Sequence, residues 1–152
     1  MQKILKAAVA ATLVTPPIVM PGVANAADTV FSDVPKTQTH YDNIMALYNE
    51  KVISGYPDGT YKPNASVTRG QAAKIIAGVL GLIKPENTYT GPNPNFADVP
   101  VTHSYYKYIA VLAQAGIING YPDGTYKPNN TLRRGQMAKI IYNGFNLDKF
   151  PD

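Results

Sequence analysis

The ten residues Gly55 to Asn64, GYPDGTYKPN, recur unchanged as Gly120 to Asn129, 65 positions further on. The chain is thus written twice in one register, and any fold must be assembled from two copies of one unit. The register extends well past the decapeptide. Phe31, Asp33, Val34 and Pro35 correspond to Phe96, Asp98, Val99 and Pro100; Tyr41, Ile44 and Leu47 to Tyr106, Ile109 and Leu112. Arg69-Gly70-Gln71 and Lys74-Ile75-Ile76 correspond to Arg134-Gly135-Gln136 and Lys139-Ile140-Ile141. From Phe31 to Leu82 no gap is needed, and roughly half of the aligned positions are identical. A period of this length marks supersecondary units that stack to bury their apolar faces.

Within each unit the pattern predicts turn, helix, loop, helix. Tyr41, Ile44, Met45, Leu47, Tyr48 and Val52 recur at the three-and-four spacing of one helical face, with Gly55 beyond it as a stop. The second helix opens on Thr68-x-x-Gln71, a capping box, and carries the stripe Ala72, Ala73, Ile75, Ile76, Val79, Leu80. Its counterpart carries Met137, Ala138, Ile140, Ile141 and Phe145, but Arg133 replaces Thr68 and has no acceptor for a backbone amide. Thr131 is then the substitute cap, with the helix starting earlier. Between the helices, Pro57-Asp58-Gly59 and Pro122-Asp123-Gly124 have the chemistry of a structural turn: Pro presets φ, Asp bonds a downstream amide, Gly takes a left-handed conformation. A calcium loop needs alternating oxygen ligands, and here a single carboxylate is followed by Tyr, Lys and Pro. No metal site is expected.

Ahead of the repeats, Lys3 and Lys6 precede an apolar stretch broken by Pro16, Pro17 and Pro21 and closed by Ala24-Asn25-Ala26. This is the form of a secretory signal peptide over residues 1–26, the prolines opposing a spanning helix. Removing 26 of the 152 residues leaves 126, and the loss of two lysines takes the formal charge from +4 to +2. That charge is small and dispersed, so nucleic acid is not the expected partner. Cysteine is absent, which excludes disulfides and thiolate metal sites. Stability must come from packing, with 13 prolines and 12 glycines setting short elements between ordered turns. Eleven tyrosines supply amphipathic rings suited to sugars or to core edges.

The order F-x-D-V, helix, GYPDGTYKPN, then a helix opened by Thr-Arg resembles the S-layer homology domain family. The resemblance covers Phe31 to Leu82 and Phe96 to Leu147. It implies an all-α fold of tandem helix-loop-helix repeats around a central helical bundle, here an incomplete pseudo-threefold spindle. It divides the chain into signal peptide 1–26, repeat one 27–82, a Pro-rich connector 83–95, repeat two 96–149, and a third repeat begun at 150–152, where Phe150-Pro151-Asp152 restates F-x-D. On that expectation the sequence is part of a longer protein with a cargo domain beyond it. The implied function is non-catalytic anchoring of an exported protein to the cell surface, by gripping secondary cell-wall polysaccharide, often pyruvylated, or peptidoglycan. Association with other such repeats, as in a structural S-layer lattice, is the second reading.

The family's T-R-A-E signature falls on Arg69 and Arg134, with Gly-Gln in place of Ala-Glu in both copies. Losing the neighbouring carboxylate frees the guanidinium for an anion, and the helix start adds backbone amides and a positive dipole end. The alternative is that both arginines lie over the bundle or bond a loop. Asp33 and Asp98 are either part of the glycan surface or braces for local amides. Tyr56 and Tyr121, with Tyr61 and Tyr126, flank the turns where sugar rings stack, and Lys62 and Lys127 are placed to hold an anionic glycan. His40 and His103 occupy non-equivalent positions, so no shared catalytic role follows. A glycan hydrolase needs two apposed carboxylates, and the only glutamates, Glu50 and Glu86, are not repeated. Neither an enzyme nor a cofactor is expected.

Overall fold

The computed structural model describes residues 29–147. Among the described residues there are four helices and no strand: α1 (Tyr41–Asn49), α2 (Arg69–Val79), α3 (Tyr106–Gln114) and α4 (Arg134–Gly144). The protein is all-α. The 65-residue offset maps Tyr41 onto Tyr106 and Arg69 onto Arg134, so both copies start their helices in register. The signal-peptide stretch 1–26 and the Phe150-Pro151-Asp152 restart lie outside the described residues.

The first helix of each copy ends sooner than the spacing predicts. α1 stops at Asn49 in a Schellman turn, where Val52 N–H donates to Leu47 O (2.9 Å) and Lys51 N–H to Tyr48 O (2.9 Å). The left-handed residue is Lys51 (φ 57) in copy one and Gly116 (φ 71) in copy two. Gly55 is therefore not the helix stop. It has φ 67, and a Cβ there would lie 2.3 Å from the Phe31 ring; Gly120 stands likewise 2.4 Å from Phe96. These two glycines let the buried Phe of F-x-D-V lie flat against the decapeptide backbone.

At α2 the capping box forms: Thr68 Oγ1 accepts from Gln71 N–H (3.2 Å) and Gln71 Oε1 accepts from Thr68 N–H (2.9 Å). At α4 half of it survives, with Gln136 Oε1 accepting from Arg133 N–H (3.0 Å). Thr131 does not start α4 early, because it is engaged elsewhere, in an antiparallel bridge with Thr68.

That bridge belongs to a seam joining the copies. Leu132 N–H donates to Val67 O (3.1 Å), Arg69 N–H to Asn130 O (2.9 Å) and Gly70 N–H to Pro128 O (2.8 Å). The core follows the seam. Ala73, Ile76 and Ala77 of α2 share one cluster with Tyr108, Ile109 and Leu112 of α3, and with Ile117, Ile118, Tyr126 and Ile140. A smaller cluster of Phe31, Val34, Ile44, Val52 and Ile53 lies within copy one. Thus α2 belongs by sequence to the first copy and by packing to the second. The connector is pinned beneath: Ile83 is buried, Lys107 Nζ donates to Pro85 O and Asn87 O, and Tyr89 OH bonds Pro92 O and Gln114 (3.0 Å each).

Candidate functional site

Each decapeptide is ordered by the same three devices. Asp58 Oδ1 accepts from Thr60 N–H (3.0 Å), and Asp123 Oδ1 from Thr125 N–H (3.0 Å), closing the tight turns at Pro57-Asp58-Gly59 and Pro122-Asp123-Gly124. The Thr60 and Thr125 hydroxyls, then Lys62 and Lys127, hold these two carboxyls down at about 2. Asp33 bridges the Tyr61 (2.8 Å) and Lys62 (2.7 Å) amides, and Asp98 does the same for Tyr126 and Lys127. The hydrogen bond from Tyr61 keeps the Asp33 carboxyl below the usual range. Both F-x-D-V aspartates thereby stitch the start of their repeat to its loop, and set Lys62 and Lys127 at φ 60.

This frame presents a tyrosine under a lysine in each copy. Lys62 Nζ lies 4.3 Å from the Tyr56 ring centroid and Lys127 Nζ 4.4 Å from that of Tyr121, each lysine also paired with its turn aspartate (3.1 and 2.9 Å). From the other side the capping glutamines reach in, Gln71 Nε2 donating to Tyr56 OH (2.9 Å) and Gln136 Nε2 to Tyr121 OH (3.0 Å). The amide therefore serves twice, capping its helix with oxygen and orienting its tyrosine with nitrogen.

Beside each tyrosine is a groove. The first, about 310 Å³, has Tyr56, Tyr61, Lys62, Gln71 and Lys74 along it, with Tyr105 contributed by the second copy. The second, about 150 Å³, is its equivalent, with Asn119, Tyr121, Gln136 and Lys139 over a floor of Ile117, Ile118 and Ile140. Neither groove is lined by a carboxylate residue among the described residues. Lys74 and Lys139, equivalent across the repeat, were missed by site reasoning although Lys-Ile-Ile recurs in both copies. Lys74 Nζ donates to Ser54 Oγ (2.9 Å), and burial pulls its ammonium below the usual value. A helix-face lysine reads as solvated until the fold sets it over a groove.

The two arginines part company. Arg69 is 6% exposed and enters the second groove, Nε donating to Tyr126 O (2.8 Å) and Nη2 reaching Asn119 O (3.5 Å). Its guanidinium lies over Tyr126 (4.4 Å) and Tyr121 (5.0 Å), and Tyr126 OH donates back to Arg69 O (3.2 Å). Burial pushes the Tyr126 hydroxyl up to about 12. The α2 amides pictured as open to an anion are already spent on Asn130 and Pro128. Arg134 is exposed, and its guanidinium makes no hydrogen bond or ion pair among the described residues.

The family model of the S-layer homology domain matches residues 30–73 and 95–138, which hold both decapeptides and both grooves' tyrosines. The chain belongs to the S-layer homology domain family. Cell surface glycoprotein 1 of Acetivibrio thermocellus is 33% identical over 73% of this chain and 5% of its own length. An S-layer protein of Bacillus licheniformis is 34% identical over 84% of this chain and 14% of its own length. A cellulosome-anchoring protein of Acetivibrio thermocellus is 35% identical over 59% and 20%. The chain spans 5–20% of the length of these relatives. Family and relatives place this S-layer homology chain at the cell surface.

Proposed function

We propose that this chain is a non-catalytic anchoring module that binds an anionic cell-wall glycan, secondary cell-wall polysaccharide with a pyruvylated sugar, and so tethers an exported protein to the envelope. One observation supports it above the others: two equivalent grooves, each with a tyrosine, a glutamine amide and a Lys74 or Lys139 ammonium and, among the described residues, no lining carboxylate. Such a groove stacks a sugar on the ring, hydrogen-bonds its hydroxyls and pairs its carboxylate with the lysine ammonium. In the second groove Arg69 adds a guanidinium to the lining, with Nε and Nη2 bonded to Tyr126 O and Asn119 O and no hydrogen bond from Nη1 among the described residues. Lys62 also lines the first groove, with its ammonium paired to Asp58.

Purified cell-wall sacculi test this reading with the polysaccharide intact and stripped. The chain should sediment with intact sacculi and stay in solution with stripped ones, and Lys74→Ala with Lys139→Ala should weaken binding by about tenfold or more without changing the melting temperature. Binding lost only when peptidoglycan itself is digested would assign that polymer as the ligand. Binding indifferent to both treatments would overturn the glycan reading.

A further inference from the structure

We infer that the cleft between the Pro-rich connector and α3 is a seat for a neutral N-acetylated sugar, the one next to the anionic sugar along a glycan held in the second groove. The placement rests on the reading of that groove as a glycan site. The cleft is about 320 Å³, bounded by connector residues 92–94 and the last turn of α3, with Phe96 and Ile118 in its apolar lining. A volume of this order suits one small ligand. It shares Ile118, Asn119 and Gly120 with the second groove, so the two are neighbouring stretches of one surface. Their electrostatics differ. Arg69 and Lys139 line the groove, whereas no charged side chain lines the cleft among the described residues. A sugar bearing a carboxylate therefore belongs in the groove, and an uncharged one in the cleft.

The polar groups of the cleft are set as donors. Asn93 Oδ1 accepts from Asn95 N–H (2.9 Å), and Gln114 Oε1 accepts from the Tyr89 hydroxyl, whose proton Pro92 O shares (3.0 Å each). With their oxygens held, both carboxamides keep their NH2 groups for a ligand, and neither nitrogen has an acceptor among the described residues. Two such donors beside Ala113, Ile118 and Phe96 complement an acetamido group, whose carbonyl accepts while its methyl lies on the apolar lining. A plain hydroxyl has no methyl to place there. Glycine holds the connector in position, since a Cβ at Gly91 would lie 2.7 Å from Gln114 Oε1. Copy one fills the equivalent space: Tyr48 stands where Ala113 stands, its ring edge-on to Phe31 at 5.2 Å. The cluster around Phe31 is built of copy-one residues alone, so a following repeat docks elsewhere and leaves this side of its predecessor uncovered.

An NMR titration with the methyl glycoside of N-acetylglucosamine tests the seat without the groove. It should move the side-chain NH2 resonances of Asn93 and Gln114, and methyl glucoside should not. Ala113→Tyr, which installs the residue copy one already accommodates, should abolish those shifts with an unchanged circular dichroism spectrum and melting temperature. Gln114→Glu keeps the bond from Tyr89 and loses the donor, and should weaken binding of the same neutral glycoside by about tenfold. The adjacency is read on the Gln136 side-chain resonances of the second groove. A pyruvylated hexose linked to N-acetylglucosamine should bind there about tenfold tighter than the pyruvylated hexose alone, and Ala113→Tyr should remove that gain while leaving the single sugar's affinity as it was. Absent NH2 shifts overturn the inference, as do shifts that survive Ala113→Tyr, or a linked sugar that gains nothing where the single one binds. NH2 shifts with no binding of the pyruvylated hexose support the seat and overturn the glycan reading of the groove instead.

Discussion

α2 and α4 open on the same three residues, Arg-Gly-Gln, with glutamine bonding back to the cap in each. Yet α2 buries Arg69, Gly70, Ala72, Ala73, Ile76 and Ala77, while the matching stretch of α4 buries only Ile140. Local sequence sets the helix start in both, and the neighbour alone sets the burial. The second copy is present to receive that face of α2, whereas α4 joins the core through Ile140 and Met137 and its matching face, with Ile141 and Tyr142, is covered by nothing among the described residues. An arginine that reads as a ligand receptor in the repeat is thus a latch at one of its occurrences and an open group at the other.

The arginines should show the largest contrast. Arg69→Ala leaves the Tyr126 and Asn119 carbonyls without their donor and removes the cation from between two rings, at a cost of about 3 kcal/mol. Arg134→Ala should change single-chain stability by less than about 0.5 kcal/mol. Urea unfolding in dilute solution measures both, and equal effects would erase the distinction between the helices. The glycines should differ in sign. Gly70→Ala drives a methyl into the Tyr105 ring and costs about 2 kcal/mol, whereas Gly135→Ala gains up to about 1 kcal/mol of helix propensity.

The helix ends sharpen the comparison further. Lys51 holds a left-handed φ that Gly116 takes freely in the other copy. Lys51→Gly should stabilise the chain by about 1 kcal/mol and Gly116→Lys should cost about as much, read from thermal unfolding. The smallest effect is one in which the copies should agree, because their turns are identical. Asp58 and Asp123 have carboxyls lowered from 3.8 to about 2. Their contribution is present above the unfolded value and is lost as pH falls from about 4 toward 2. The Thr60 and Thr125 amide resonances should shift together over that window in an NMR titration, and Asp58→Asn with Asp123→Asn should remove the step.

Much of the fold was legible. The 65-residue period, the 3.6-residue stripes, the Pro-Asp-Gly turns and the Thr68–Gln71 cap all act over a few residues, and such interactions are written where they operate. Less of the candidate site was. Lys74 and Lys139 looked like helix-surface lysines, and Gly55 like a helix stop, because the groove and the Phe31 ring that give them their roles come from distant parts of the chain. The same holds for Thr131, whose partner Thr68 lies 63 residues away.

By itself, then, the sequence determined that there are two equivalent helix-loop-helix units, where their turns and caps fall, and that both copies carry arginine at the start of the second helix. Only the tertiary structure decided what each arginine does. Hydrogen-bond donors and apolar faces at a helix start are fixed locally, but whether they are spent depends on a surface brought alongside through packing. Here the apolar face of α2 has such a surface in the second repeat, and among the described residues the matching face of α4 has none.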